Sequence, residues 1–93
     1  MAPRRIQRRR TAGWRMPDGA IYVGRPTRYG NPYLVNRYQS TETAVECFRE
    51  CAQRILQINP GWLTPLRGHD LVCWCPLDQQ WCHADVLLKL ANR

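Results

Sequence analysis

No run of apolar residues in this 93-residue chain approaches the length needed to cross a bilayer, which takes about 20. A membrane span is therefore not expected. The N-terminus is basic but lacks the apolar segment of a secretory leader, so the expectation is a cytoplasmic protein. Acids are missing from residues 1–15, where Arg4, Arg5, Arg8, Arg9, Arg10 and Arg15 stand unopposed. Lysine is nearly absent, with Lys89 alone against thirteen arginines. The five cysteines are an odd number without an export signal, which argues against a disulfide framework. A Walker-type glycine fingerprint is also missing, so any phosphate site must be built in another way.

What is present fits one small domain. Apolar residues make up 44% of the chain and nine residues are aromatic, enough for a single two-layer core. The net charge of +7 is concentrated in the N-terminal arginines, and the remainder, with eight basic and seven acidic side chains, is nearly neutral. Residues 1–12 therefore read as a flexible basic arm and residues 13–93 as the folded domain. Arg4, Arg5, Arg8, Arg9 and Arg10 of the arm are candidate nucleic-acid contacts, since each neutralised phosphate releases counterions. The bland alternative is a solvated tail from a G+C-rich genome.

Along the chain, Pro17-Asp18-Gly19 marks a turn and Ala20-Ile21-Tyr22-Val23 a short strand. The strand runs into Gly24-Arg25-Pro26-Thr27-Arg28-Tyr29-Gly30-Asn31-Pro32, a segment too rich in glycine and proline for regular structure. Gly24 and Gly30 allow close approach of a ligand, Asn31 before Pro32 shapes a turn, and Arg25 and Arg28 suit a phosphate or carboxylate. The alternative is an ordinary connection whose arginines pair with acids. Ser40 or Thr41 caps a helix that runs to Ile58 and stops at Asn59-Pro60-Gly61. Ala44, Phe48, Cys51, Ile55 and Ile58 share its apolar stripe, and Cys47 and Cys51 read as small core residues. Leu71 to Cys75 is the second clear strand, and a last helix runs from near Cys82 to Ala91 with Ala84, Leu87, Leu88 and Ala91 on one face. His69, at the opposite end of that strand from Cys75, is not enlisted as a ligand.

The order β-α-β-α predicts a small Rossmann-like α/β domain with parallel strands. A third strand around Tyr33-Leu34-Val35, or a homodimer, would thicken the thin core. Ligands of open α/β sheets bind beyond the carboxyl ends of the strands. The loops leaving Val23 and Cys75 should meet there, arginines facing thiols.

The thiol loop supports three readings. Cys73, Cys75, Cys82 and His83 carry zinc-compatible donors, although Cys-x-Cys-x6-Cys-His is not a frequent ligand pattern and adjacent Cys82 and His83 are an awkward pair. Cys82 at a helix mouth, next to His83 and facing Arg25 or Arg28, could instead be a nucleophile of lowered pKa, with Asp85 orienting His83 only if the helix geometry allows it. In the third reading all three cysteines are core residues. If Leu71–Cys75 is a straight strand, Cys73 and Cys75 lie about 6.5–7 Å apart on one face, too far for a disulfide.

The segments Val23-Gly24-Arg25-Pro26-Thr27-Arg28-Tyr29-Gly30-Asn31-Pro32-Tyr33, Leu66-Arg67-Gly68-His69-Asp70-Leu71-Val72-Cys73-Trp74-Cys75-Pro76 and Cys82-His83-Ala84-Asp85-Val86-Leu87-Leu88 resemble a small domain-of-unknown-function family found in actinobacterial phages and in bacteria. The resemblance spans residues 20–92 and leaves out the arm. It implies a bacteriophage origin, hence a host-cell cytoplasm, and says where the site is without carrying over an activity. The expected function is binding of a phosphate-bearing ligand, a nucleotide or nucleic acid, through Gly24, Arg25, Arg28, Gly30 and Asn31. The alternatives are an enzyme on nucleotides using Cys82 and His83, with or without zinc, and a host-protein binder docking through aromatics such as Trp81.

Overall fold

The computed structural model describes residues 3–25, 27–31, 40–75, 77–78 and 82–92. Three short parallel strands form one sheet: β1 (Arg5–Gln7), β2 (Ile21–Tyr22) and β3 (Leu71–Cys73), in the order β1-β3-β2. Among the described residues two helices, α1 (Thr41–Ile58) and α2 (His83–Ala91), accompany the sheet in this α/β domain, with a 3₁₀ turn at Thr64–Leu66.

β3 is central, and all three of its residues are buried. A continuous apolar run is what a parallel strand flanked on both sides requires. It accepts Ile21 and Tyr22 opposite Leu71 and Val72 on one side and Arg5, Ile6 and Gln7 opposite Leu71, Val72 and Cys73 on the other. The amide of Arg8 donates to the Cys73 carbonyl at 2.7 Å, and that of Val23 to the Val72 carbonyl at 2.9 Å.

β1 departs from the sequence reading, which placed residues 1–12 in a flexible arm. Ile6 between Arg5 and Gln7 is enough to form an edge strand once β3 offers a row of backbone partners. The amide of Arg4 also donates to Asp70 Oδ1 at 2.9 Å. The third strand thus comes from the arginine-rich segment. The segment Tyr33-Leu34-Val35 expected for that role lies outside the described residues, as does Trp81.

The helix boundaries follow the local chemistry. Ser40 caps α1, its Oγ accepting from the Thr43 amide at 3.1 Å, and Glu42 occupies the first turn. The buried face of α1 is Ala44, Val45, Phe48 and Ala52. It is rotated from the expected stripe: Cys47, Cys51 and Ile55 are half-buried and Ile58 is exposed, because the last turn extends past the core. The Pro17-Asp18-Gly19 turn forms as expected, with Gly19 at φ +79° and the Ala20 amide donating to the Pro17 carbonyl. α2 buries Ala84, Val86, Leu87, Leu90 and Ala91. Among the described residues no helix is long and apolar enough to cross a membrane.

Candidate thiol and arginine site

β2 and β3 point their carboxyl ends the same way, so the loops that follow them emerge at one edge. The imidazole of His83, in the first turn of α2, is 2.9 Å from the Val23 carbonyl at the end of β2. A carbonyl only accepts, so Nε2 carries the proton. This bond joins the two unusual loops, as the topology implied.

The loop after β2 is a run of turns held by its own side chains. Thr27 Oγ1 donates to the Gly24 carbonyl at 2.6 Å, Tyr22 Oη to the Arg25 carbonyl at 2.7 Å, and Arg25 Nε to the Asn31 carbonyl at 2.7 Å. Buried Asn31 donates from Nδ2 to the Ala44 carbonyl at 3.2 Å, anchoring the loop to α1. Gly24 lies against Tyr22, where a Cβ would overlap the phenol ring. Gly30 lies against the backbone of Arg25. Arg28 donates to Tyr29 Oη at 2.8 Å, and Tyr29 itself is buried against Trp62. Arg25 and Arg28 are exposed, but every polar side chain expected to contact a ligand also braces the loop.

The thiols lie on the other side of the edge. β3 ends at Cys73, and the chain bends at Trp74 and Cys75 where a straight strand was expected. The bend returns Cys75 toward Cys73. Cys82, the N-cap residue of α2, completes the group. The three sulfurs lie within 4.8 Å of one another, with Cys73 and Cys82 at 3.4 Å. Cys73 and Cys82 are sealed from solvent and Cys75 is half-buried.

His83, the fourth expected ligand, is not in this cluster. Successive helical residues point about 100° apart, so its ring turns to Val23 and packs edge-on against Phe48, 5.4 Å between centroids. Its Nε2 is taken by the Val23 carbonyl, yet the imidazole still hydrogen-bonds Cys82, a residue 2% exposed, and adds to the lowering of its pKa. Asp85 pairs with Arg5 at 3.3 Å.

Arg5 was not expected here. Its side chain, 9% exposed, hydrogen-bonds Cys82, donates from Nη2 to the Leu77 carbonyl at 3.0 Å and pairs with Asp85. Burial alone would lower the pKa of its guanidinium, but the neighbouring Cys82 and Asp85 raise it further. The three thiols divide into one acidic and two resistant groups. Hydrogen bonds from Cys73 and Cys75 push Cys82 well down. Sharing with Cys75 and Cys82, then burial, pushes Cys73 well up. Cys75 is also raised. Burial raises Asp85, partly offset by Arg5.

Next to this cluster, two further arginines of the basic segment, Arg8 and Arg10, stack on aromatic rings. The Arg8 guanidinium lies 4.7 Å from the Tyr22 ring centroid and 5.0 Å from that of Trp74, and Arg10 lies 5.0 Å from the same indole. Trp74 is 40% exposed. Arg4 and Arg9 are exposed. His69 is remote from the thiols in role, with Nδ1 2.6 Å from the Gly19 carbonyl.

A family model described as Domain of unknown function (DUF4326) matches residues 6–93, and the chain belongs to that family. The match begins inside β1, so it takes in residues 6–12 of the basic N-terminal segment. No curated protein and no solved structure matches the chain.

Proposed function

We propose that this family member binds a ligand carrying both phosphate and an accessible base, a nucleotide or a single nucleic-acid strand, at the carboxyl edge of its sheet. The observation that carries the reading is the alternation Tyr22, Arg8, Trp74, Arg10, in which rings and guanidinium groups stand within 4.7–5.0 Å of one another. Rings offer stacking faces to any base, and guanidinium groups offer paired donors to phosphate oxygens.

Relative magnitudes favour exchange over a closed intramolecular stack. An exposed cation–π contact contributes about 0.5–1 kcal/mol. A base stacked on an aromatic side chain contributes about 1–3 kcal/mol. A base can therefore take the place of Arg10 on Trp74, and the released guanidinium meets the adjoining phosphate. Tyr22 couples this surface to the loop after β2 through the Arg25 carbonyl, so Arg25 and Arg28 flank the same edge. The ligand class is the one expected from the sequence, with Arg8, Arg10 and Trp74 now at its centre and Arg25 and Arg28 at its rim.

Fluorescence anisotropy with a labelled single-stranded oligonucleotide tests this. Affinity should fall with salt, with a log–log slope of about −0.7 for each phosphate neutralised. Trp74→Ala should weaken binding about 5- to 150-fold, the equivalent of one lost base stack, and Arg10→Ala should flatten the salt slope by about 0.7. Competition by a mononucleotide would mark a nucleotide site, and competition by strands alone a nucleic-acid site. Binding unchanged in Trp74→Ala and dependent on charge count alone would refute the proposal.

A further inference from the structure

We infer that Cys73, Cys75 and Cys82 form a three-thiolate site for a thiophilic divalent cation, zinc being the chemical match. The inference does not rest on nucleotide binding. Three features of the fold carry it.

The first is convergence. The sulfurs come from a strand end, from the bend after it and from a helix N-cap, three local structures that need not have met. Zinc–sulfur bonds of about 2.3 Å in a tetrahedral arrangement place sulfurs about 3.8 Å apart. The observed 3.4 Å pair, and a cluster contained within 4.8 Å, reach that arrangement through small side-chain rotations and no backbone movement.

The second is charge. Three cysteines acting as apolar packing have no use for a cation beside them, and burying one is expensive. Arg5 nevertheless places a nearly sealed guanidinium against Cys82. Three thiolates around one zinc ion carry a net charge of −1, which Arg5 and the N-terminus of α2 both oppose. Asp85, which also pairs with Arg5, is 47% exposed.

The third is asymmetric access. Cys73 and Cys82 are closed to solvent and Cys75 is half-buried, so the open side of the cluster is the side of Cys75. His83, held by Val23 and hydrogen-bonded to Cys82, lies beside the cluster and is not one of its three clustered donors. The fourth position therefore falls to water or to a donor atom on a ligand at the carboxyl edge. Trp74, between two of the metal-binding residues, is fixed in place by the same ion. Cys47 and Cys51 are outside the cluster.

The test uses the full chain, purified under reducing conditions without added metal or chelator. Native mass spectrometry with elemental analysis should find one zinc per chain. Replacement by cobalt(II) should give thiolate-to-cobalt charge-transfer absorption and the strong ligand-field bands of a tetrahedral ion. Cys75→Ser, at a half-exposed bend, should lower zinc affinity at least tenfold with an unchanged circular dichroism spectrum, and Cys47→Ser should retain the metal. Should Cys75→Ser fail to fold, the cobalt spectrum of the unaltered chain decides alone. The inference is overturned if the reduced chain takes up no zinc at equimolar addition. It is equally overturned if Cys75→Ser holds zinc as tightly as the unaltered chain, or if cobalt binds without thiolate absorption.

Discussion

Replacing Arg5 with methionine should destabilise the domain as no other arginine substitution in the first ten residues does. Methionine preserves most of the aliphatic volume, so the change removes mainly the charge. Its donor bond to the Leu77 carbonyl at 3.0 Å is charge-assisted and contributes about 1.5–3 kcal/mol. The pair with Asp85 contributes less than about 1 kcal/mol, because Asp85 is half-exposed and rehydrates when the partner leaves. The sum, about 2–4 kcal/mol, is a large share of the roughly 5–14 kcal/mol expected for a chain of this length. Unfolding by urea, followed by circular dichroism in excess chelator so that metal does not contribute, would give that difference directly. In thermal melts the midpoint should fall by about 10 °C or more. Arg4→Met is the control. Arg4 is exposed, and its amide bond to Asp70 and its carbonyl bond from Leu71 survive any side-chain change. If Arg5→Met melts within about 3 °C of Arg4→Met, Arg5 is only a solvated member of a basic run and the buried role assigned to it is wrong.

Two further outcomes follow from the loop after β2. Asn31→Ala removes a buried donor to Ala44 and should cost about 1–3 kcal/mol in urea unfolding, whereas exposed Arg28→Ala should change stability by less than about 0.5 kcal/mol; equal effects would refute the loop-bracing role of Asn31. Gly24→Ala forces the Tyr22 ring aside, so it should lower stability by about 1–3 kcal/mol and weaken oligonucleotide binding in the anisotropy assay. Unaltered affinity would separate Tyr22 from the binding surface.

Where local chemistry dominates, the sequence was readable. Ser40 as cap, the stop near Asn59, the Pro17-Asp18-Gly19 turn and the apolar Leu71–Cys73 strand all depend on neighbours within a few residues. β1 was not readable, because strand propensity is weak and context-dependent and the partner of Ile6 is Val72. The rotation of the α1 stripe came from apolar residues on both sides of the helix: Val45 and Leu56 on one, Cys51 and Ile58 on the other. Only packing decides between them. At the candidate site, residue type was informative and geometry was not. Cys73, Cys75 and Cys82 were singled out by their chemistry, but a straight strand through Cys75 would have kept two of them apart. The Arg8–Trp74 stack joins residues too distant in the chain for any pattern to reveal.

The strand order β1-β3-β2 also dictates when this protein can fold. Neither β1 nor β2 has a neighbour in the sheet until β3 exists, and Arg5 meets a partner 66 residues ahead of it while Ile21 waits 50. During synthesis β1 and β2, both within the first 22 residues, are therefore made with nothing to template them, while α1 has local support. The sheet assembles in one late, non-local event once Leu71 to Cys73 emerge, a topology associated with slow folding. Until then the arginines of β1 keep its edge charged, which opposes pairing with the strands of other chains during the long wait.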